Sequence, residues 1–354
     1  MKELRIAVIP GDGIGNEVVP EGVKVLEHLA NTSHGQLSFL FESFPWGSAY
    51  YHEHGTMISE DALAILEQFD AIYFGAVGWP DVPDHVSLWG LRLAICQGFD
   101  QYVCLRPVRL LPGIESPLRN ATAESLDFVV VRENCEGEYA GVGGRTGAAR
   151  GAEIATQTAV FTELGCERII RFAFDLATTR PKRKVTSVTK SNAQQYGMTL
   201  WDDVFHRVAG DYPDVRTEQW LVDAMAARFV LKPETLDVVV ASNLFGDILS
   251  DLGSAIAGSL GIAASANIDP ERRKPSMFEP VHGSAPDIAG QGIANPIGQI
   301  WSAALMLDHL GLPEEARRIV AAIEYTTANG PTTPDLGGSA TTSEVGDAIV
   351  RALS

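Results

Sequence analysis

The run VVVASNLFGDILSDLG, residues 238–253, joins four consecutive apolar residues to a segment in which Asp247 and Asp251 stand four apart. The apolar run reads as a short buried strand, and the residues after it as a turn and a helix. Residues four apart lie on one helical face, so both carboxylates are carried to the strand's exit. Left alone they would repel, and positive charge is expected between them.

The same alternation extends outward. Residues 4–9 form a strand candidate ended by Pro10 and a glycine-rich turn, and 18–29 (VVPEGVKVLEHL) have helical spacing. Further strands are expected at 71–74, 128–131, 184–188 and 236–241, with helical patterns at 60–69, 165–178 and 218–229. Strand and helix alternate through most of the chain, which predicts an α/β protein with a largely parallel sheet. Residues 138–158 hold five glycines among scattered β-formers and suit an exposed hairpin or arm, either a plain surface loop or a dimer clasp. Residues 263–296 read as loop-rich, with five prolines, and lead into helical patterns at 300–312 and 315–326.

A chain of 354 residues with 45% hydrophobic content can fill two domains. Its formal charge of -18 repels phosphate backbones, which argues against a nucleic-acid partner. Four cysteines show no ligand-type or disulfide spacing, and no apolar run is long enough to span a membrane. The amino terminus reads as a strand and turn rather than an export signal, so a cytoplasmic protein is expected.

Several groups could carry chemistry. GDGIG at 11–15 fails the dinucleotide fingerprint because Asn16 stands where glycine is required, leaving either a plain turn or a turn touching a ligand. Arg106 and Arg132 border apolar runs, with Arg109 nearby. Two arginines converging with the aspartate pair would suit a small dicarboxylic acid and a divalent ion. Lys190 and Tyr139 follow strands and are candidate proton carriers, while Asp223 is an acid within an apolar helical pattern. Histidines 52, 54, 85 and 282 make no zinc pattern, but His282 lies in FEPVHGSAPDIAG, a loop of small residues able to fit closely around a planar base.

Taken over the whole chain, SNLFGDILSDLG with FEPVHGSAPDIAGQGIANP resembles the β-decarboxylating dehydrogenases of the isopropylmalate and isocitrate class. GAVGWPDVPDHVSLWG, FDQYVCLRPVRLLPG and VVRENCEGEY are similar to its tartrate and decarboxylating D-malate dehydrogenase branch. The resemblance implies two domains sharing a central mixed sheet without a standard Rossmann domain. The first would span 1–100 and 262–354 and carry most of the NAD site. The second, 101–261, would carry the dimer interface and the arm. It further implies a homodimer with shared active sites, in which Asp247 and Asp251 of one chain meet Lys190 and Asp223 of its partner around Mg²⁺ or Mn²⁺, with K⁺ as a further candidate. Arg106 and Arg132 would bind a 2-hydroxy dicarboxylic acid, with Lys190 as base and Tyr139 as proton donor. Ile14, Glu279, His282, Gly283, Ser284, Ala285, Asp287 and Asn295 would form the NAD site. The carboxylate of Asp287 favours free ribose hydroxyls over a 2′-phosphate. The implied reaction is oxidative decarboxylation of D-malate to pyruvate and CO₂, with tartrate as a further substrate.

One position departs from the family pattern. Ten residues before Arg106, where the family has a substrate-binding arginine, stands Cys96, and Arg92 one helical turn earlier offers a substitute. Losing a charge-assisted contact weakens binding by about 1.5–3 kcal/mol, so a catalytically weakened homologue is one alternative. Trp89 stands where leucine-pathway relatives carry glutamate, and would disfavour a branched substituent or serve as packing. A dehydrogenase of 3-isopropylmalate or a related 3-substituted malate is the other alternative.

Overall fold

The computed structural model of the chain describes residues 2–353. The apolar runs become strands β1 (Lys2–Gly11), β2 (Leu37–Ser43), β3 (Ala71–Ala76), β4 (Val103–Arg109), β5 (Asp127–Glu133), β6 (Gly137–Thr146), β7 (Ile154–Val160), β8 (Lys184–Thr189), β9 (Arg216–Leu221), β10 (Val238–Ala241), β11 (Ala264–Ile268) and β12 (Ser276–Pro280). The chain forms two compact units, one of Met1–Gln101, Arg109–Ala123 and Ser254–Ser354, the other of Tyr102–Val108 and Glu124–Gly253. The sequence-based boundaries put 109–123 and 254–261 in the second domain. Residues 109–123 group with the first unit because they pack on its carboxy-terminal helices, Arg109 pairing with Glu324 at 2.7 Å and Gly113 lying against the backbone at Thr327 and Ala328. Residues 254–261 are tied to it by Ser259, which donates to Asp335 at 2.5 Å.

In the first unit the strand order is β2-β1-β3-β12-β11. All these neighbours run parallel except β11 and β12, which pair antiparallel. This pair lies in the segment expected to be loop-rich. Its small, polar sequence (ASANI) has little intrinsic β preference, and the strand exists because partners satisfy its backbone and bury it completely. Helix Ile297–His309 is buried around most of its circumference, as its nearly continuous small and apolar sequence requires.

In the second unit the order is β4-β5-β10-β8-β9. β10 runs parallel between β5 and β8, and all four of its residues are buried. That burial on both faces is why it reads as an unbroken apolar run. Residues 218–221, expected to be helical, are the end of β9, because their backbone pairs with β8 from Thr186 to Thr189. The helix that follows, Val222–Leu231, therefore starts late and carries Asp223 in its first turn. β6 and β7 form a two-stranded antiparallel hairpin over the arm, with Val142 and Ile154 exposed.

Candidate active site

The turn after β10 opens helix Asn243–Ile256, which presents Asn243, Asp247, Ser250 and Asp251 along one stripe. The positive charge anticipated beside the aspartates comes from β4 and β5. Arg106 Nη1 donates to Asp247 Oδ1 at 3.3 Å and to Ser250 Oγ at 2.7 Å, and lies 3.8 Å from Asp251 Oδ1. Arg132 donates through Nη1 to Asp247, and through Nε and Nη2 to Asn243 Oδ1 at 2.9 and 2.7 Å. Both arginines are more than nine-tenths buried, so these contacts hold guanidinium charge that water does not reach. Gly246 makes the approach possible: a Cβ there would stand 2.6 Å from Arg132 Cβ. The Arg132 guanidinium also lies 5.4 Å from the ring centroid of Tyr139, which brings that residue to the same cluster.

Burial pushes the Asp251 carboxyl above its ordinary range, opposed by Arg106 and reinforced by Asp247. A divalent cation would relieve that cost. Two carboxylates one helical turn apart are hard oxygen donors of the kind Mg²⁺ and Mn²⁺ take, with the other positions left to substrate oxygens and water. Among the described residues, no three acidic, histidine or cysteine side chains converge as a metal cage. Asp223, the further ligand expected from the partner chain, pairs with Lys190 at 2.6 Å. That hydrogen bond is the main cause of the lowered Asp223 carboxyl. The helix amino terminus adds to it through backbone N–H groups.

The expected cofactor residues all lie in the first unit. His282 Nδ1 lies 2.9 Å from the carbonyl of Gly283, and its Nε2 is buried with no hydrogen-bond partner. Burial lowers the imidazole's proton affinity and so favours the neutral ring. With Nδ1–H donating to the carbonyl, Nε2 is an orphaned acceptor, suited to the exocyclic amino group of an adenine. Asp287 is exposed at the loop's crest, and its carbonyl accepts from Gln291 Nε2 at 2.8 Å. Ser284 is buried and its carbonyl accepts from the Ile14 N–H at 2.9 Å. Asn295 is engaged in the fold, donating to Asp335 at 3.1 Å and accepting from the Ile297 N–H at 3.0 Å. Glu279 is buried, its Oε1 accepting from Arg92 Nε at 2.7 Å and Asn267 Nδ2 at 2.6 Å.

Arg92, the residue one turn before Cys96, is turned toward Glu279 in this structure. Its Nη2 also donates to Asn267 at 3.0 Å, so its fork is taken up inside the first unit. Cys96 is completely buried in an apolar cluster with Ile9, Phe74, Leu91, Ile95 and Met277. The same-face expectation assumed a regular helix, but Trp89–Leu93 is a π-helical turn, which changes the rotation between the two positions. Arg109 is likewise turned to Glu324. Asn243 and Ser250, which orient the two arginines, were not anticipated, although their spacing to Asp247 is the helical stripe itself.

The family model for isocitrate/isopropylmalate dehydrogenase matches residues 5–349. The chain is 56% identical over 354 residues to a probable tartrate dehydrogenase/decarboxylase of Agrobacterium vitis, covering 100% of this chain and 99% of that protein. It is 54% identical over 360 residues to the decarboxylating D-malate dehydrogenase of Escherichia coli K12, with coverage of 100% and 99%. A crystal structure of isocitrate dehydrogenase from Methylococcus capsulatus superposes with a TM-score of 0.89 at 36% identity, covering 99% of each chain.

Proposed function

The chain belongs to the isocitrate/isopropylmalate dehydrogenase family and is a decarboxylating dehydrogenase; on that premise we propose that it oxidises D-malate with NAD and releases CO₂ to leave pyruvate, with tartrate as a second substrate. The observation that carries this reading is the meeting of Arg106 and Arg132 with Asp247 and Asp251 at the exit of β10. Two buried guanidiniums match the two carboxylates of a C4 hydroxy diacid, and the aspartates would hold Mg²⁺ or Mn²⁺. K⁺ is a further candidate cation.

NAD held at the loop of His282 and Asp287 would supply a hydride acceptor for C2, and a divalent ion held by Asp247 and Asp251 would supply stabilisation for negative charge on the substrate. Lys190 removes the hydroxyl proton, Arg106 and Arg132 hold the diacid, and Tyr139 returns a proton to C3 after CO₂ has left. Malate, as a dianion, and NAD⁺ thus become pyruvate, CO₂ and NADH, with no other reactant. The first unit would carry most of the NAD site, with Asp287 selecting unphosphorylated ribose. The second would carry the homodimer interface and arm, with Lys190 and Asp223 completing the partner's site. The four free cysteines support a cytoplasmic setting, and no helix among the described residues is long and apolar enough to cross a membrane.

A panel of D-malate, L-tartrate, meso-tartrate and 3-isopropylmalate, run with NAD or NADP and Mn²⁺, tests the reading by measuring reduced cofactor and CO₂ separately. D-malate with NAD is expected to give both products in equal amounts, with activity lost on metal chelation. A higher kcat/KM for 3-isopropylmalate, or for NADP, would overturn the corresponding assignment.

A further inference from the structure

The GDGIG turn and the helix it opens serve neither as a plain turn nor as a dinucleotide fingerprint. We infer that Glu17 is a positioning residue that sets the shape of the loop at 283–295, an inference resting on the proposed role of that loop in holding the dinucleotide. Glu17 lies in the first turn of helix Gly15–Asn31. Its Oε1 accepts from the Gly290 N–H at 2.6 Å and its Oε2 from the Gly292 N–H at 2.7 Å. Both glycines have positive φ, +79° and +66°, so the chain is bent to aim two amides at one carboxylate.

The loop's other end is tied to the same turn. The Ile14 N–H donates to Ser284 at 2.9 Å, and Gly13 lies so close that a Cβ there would be 2.9 Å from the Ser284 carbonyl carbon. Ile14, Val18 and Ala294 pack together with Ala285, Ile288 and Ala289, closing an apolar patch beneath the loop. Ala285 is held at φ +41°, a conformation that persists in a residue with a Cβ only where its surroundings dictate it. Asp287 sits on the crest between the two anchored ends. Its carboxylate is thus presented by a span pinned at Ser284 and at Gly290–Gly292, with Glu17 supplying the charge of the clamp. With glutamine in place of Glu17, one oxygen acceptor would become an amide donor facing an N–H, undoing one of the two anchors.

The test compares wild type, Glu17→Gln and Glu17→Ala as full-length proteins, by steady-state kinetics and by amide hydrogen exchange. Glu17→Gln is expected to raise KM for the dinucleotide about tenfold, with kcat and the KM for the hydroxy acid within about twofold of wild type. Gly290 and Gly292 should lose exchange protection while β1 and β3 keep theirs. A lowered Tm with unchanged dinucleotide KM would mark a merely structural contact and overturn the proposal, as would unchanged protection at the two glycines. If wild type saturates with NADP rather than NAD, the cofactor assignment fails, whereas the clamp still stands if Glu17→Gln raises the KM for NADP.

Discussion

At the scale of single residues, the pair Arg92–Glu279 shows how one side chain's surroundings decide its use. An arginine one turn before Cys96 invites a role in substrate binding, but its guanidinium is buried against Glu279 and Asn267. Removing one member of a buried ion pair leaves the other uncompensated, which costs about 3–5 kcal/mol. Arg92→Leu is therefore expected to lower stability by roughly that amount in urea unfolding, and Arg92→Leu with Glu279→Leu to recover most of it. A single variant as stable as wild type would show that the pair contributes nothing. That Arg106 and Arg132 meet Asp247 and Asp251 was legible because the two acids share one helical face and the two arginines stand in apolar runs. The direction in which Arg92 points was not, because a π-helical turn has no strong signature in one sequence.

At the scale of elements, the helix Asn243–Ile256 does the assembling. Its carboxylates are positioned by the strand before it, and its closeness to β5 depends on the missing side chain at Gly246. Alanine is favoured over glycine within a helix by about 1 kcal/mol, yet Gly246→Ala is expected to destabilise, because the new methyl meets Arg132 Cβ and Cγ at 2.6 and 2.8 Å. With Arg132 displaced from Asn243 and Asp247, the KM for the hydroxy acid should rise about tenfold, while that for NAD stays near wild type. Equal changes in both KM values would point to general unfolding instead. β9 illustrates the limit of periodicity: Trp220 and Leu221 fit a helical count as well as a strand, and pairing with β8 settles which forms.

At the scale of the whole molecule, two consequences can be measured. Lys190 and Asp223 pair with each other in one chain, and Asp247 and Asp251 with two arginines. If active sites draw on two chains, Lys190→Met and Asp247→Asn homodimers will each be inactive. Mixing them under exchange should restore about a quarter of wild-type activity, because half the dimers are then hybrid and each hybrid keeps one intact site. No recovery after verified exchange would place each site within one chain. The second consequence concerns pH. Burial raises the Glu133 carboxyl to about 7, against the lowering effect of hydrogen bonds from the Glu136 and Cys135 N–H groups; Glu136 charge adds to the rise and Arg168 opposes it. The folded state then holds this proton more tightly than the unfolded chain does. Its stabilising effect is complete below about pH 4.5 and declines as pH rises through about 7, a loss on the order of 3 kcal/mol. Glu133→Gln should flatten that part of the profile in urea unfolding between about pH 5 and 8.

The linear sequence by itself determined the α/β alternation, the buried β10, the acids on one helical face and the family to which the chain belongs, because these rest on local periodicity and on runs of residues in fixed order. Only the tertiary structure decided that β11 and β12 pair antiparallel, that 218–221 are strand, that Asn243 and Ser250 orient the arginines, and that Arg92 turns inward to Glu279. Each of these depends on a partner distant in the chain that satisfies a buried hydrogen-bonding group or charge, and no local pattern names that partner.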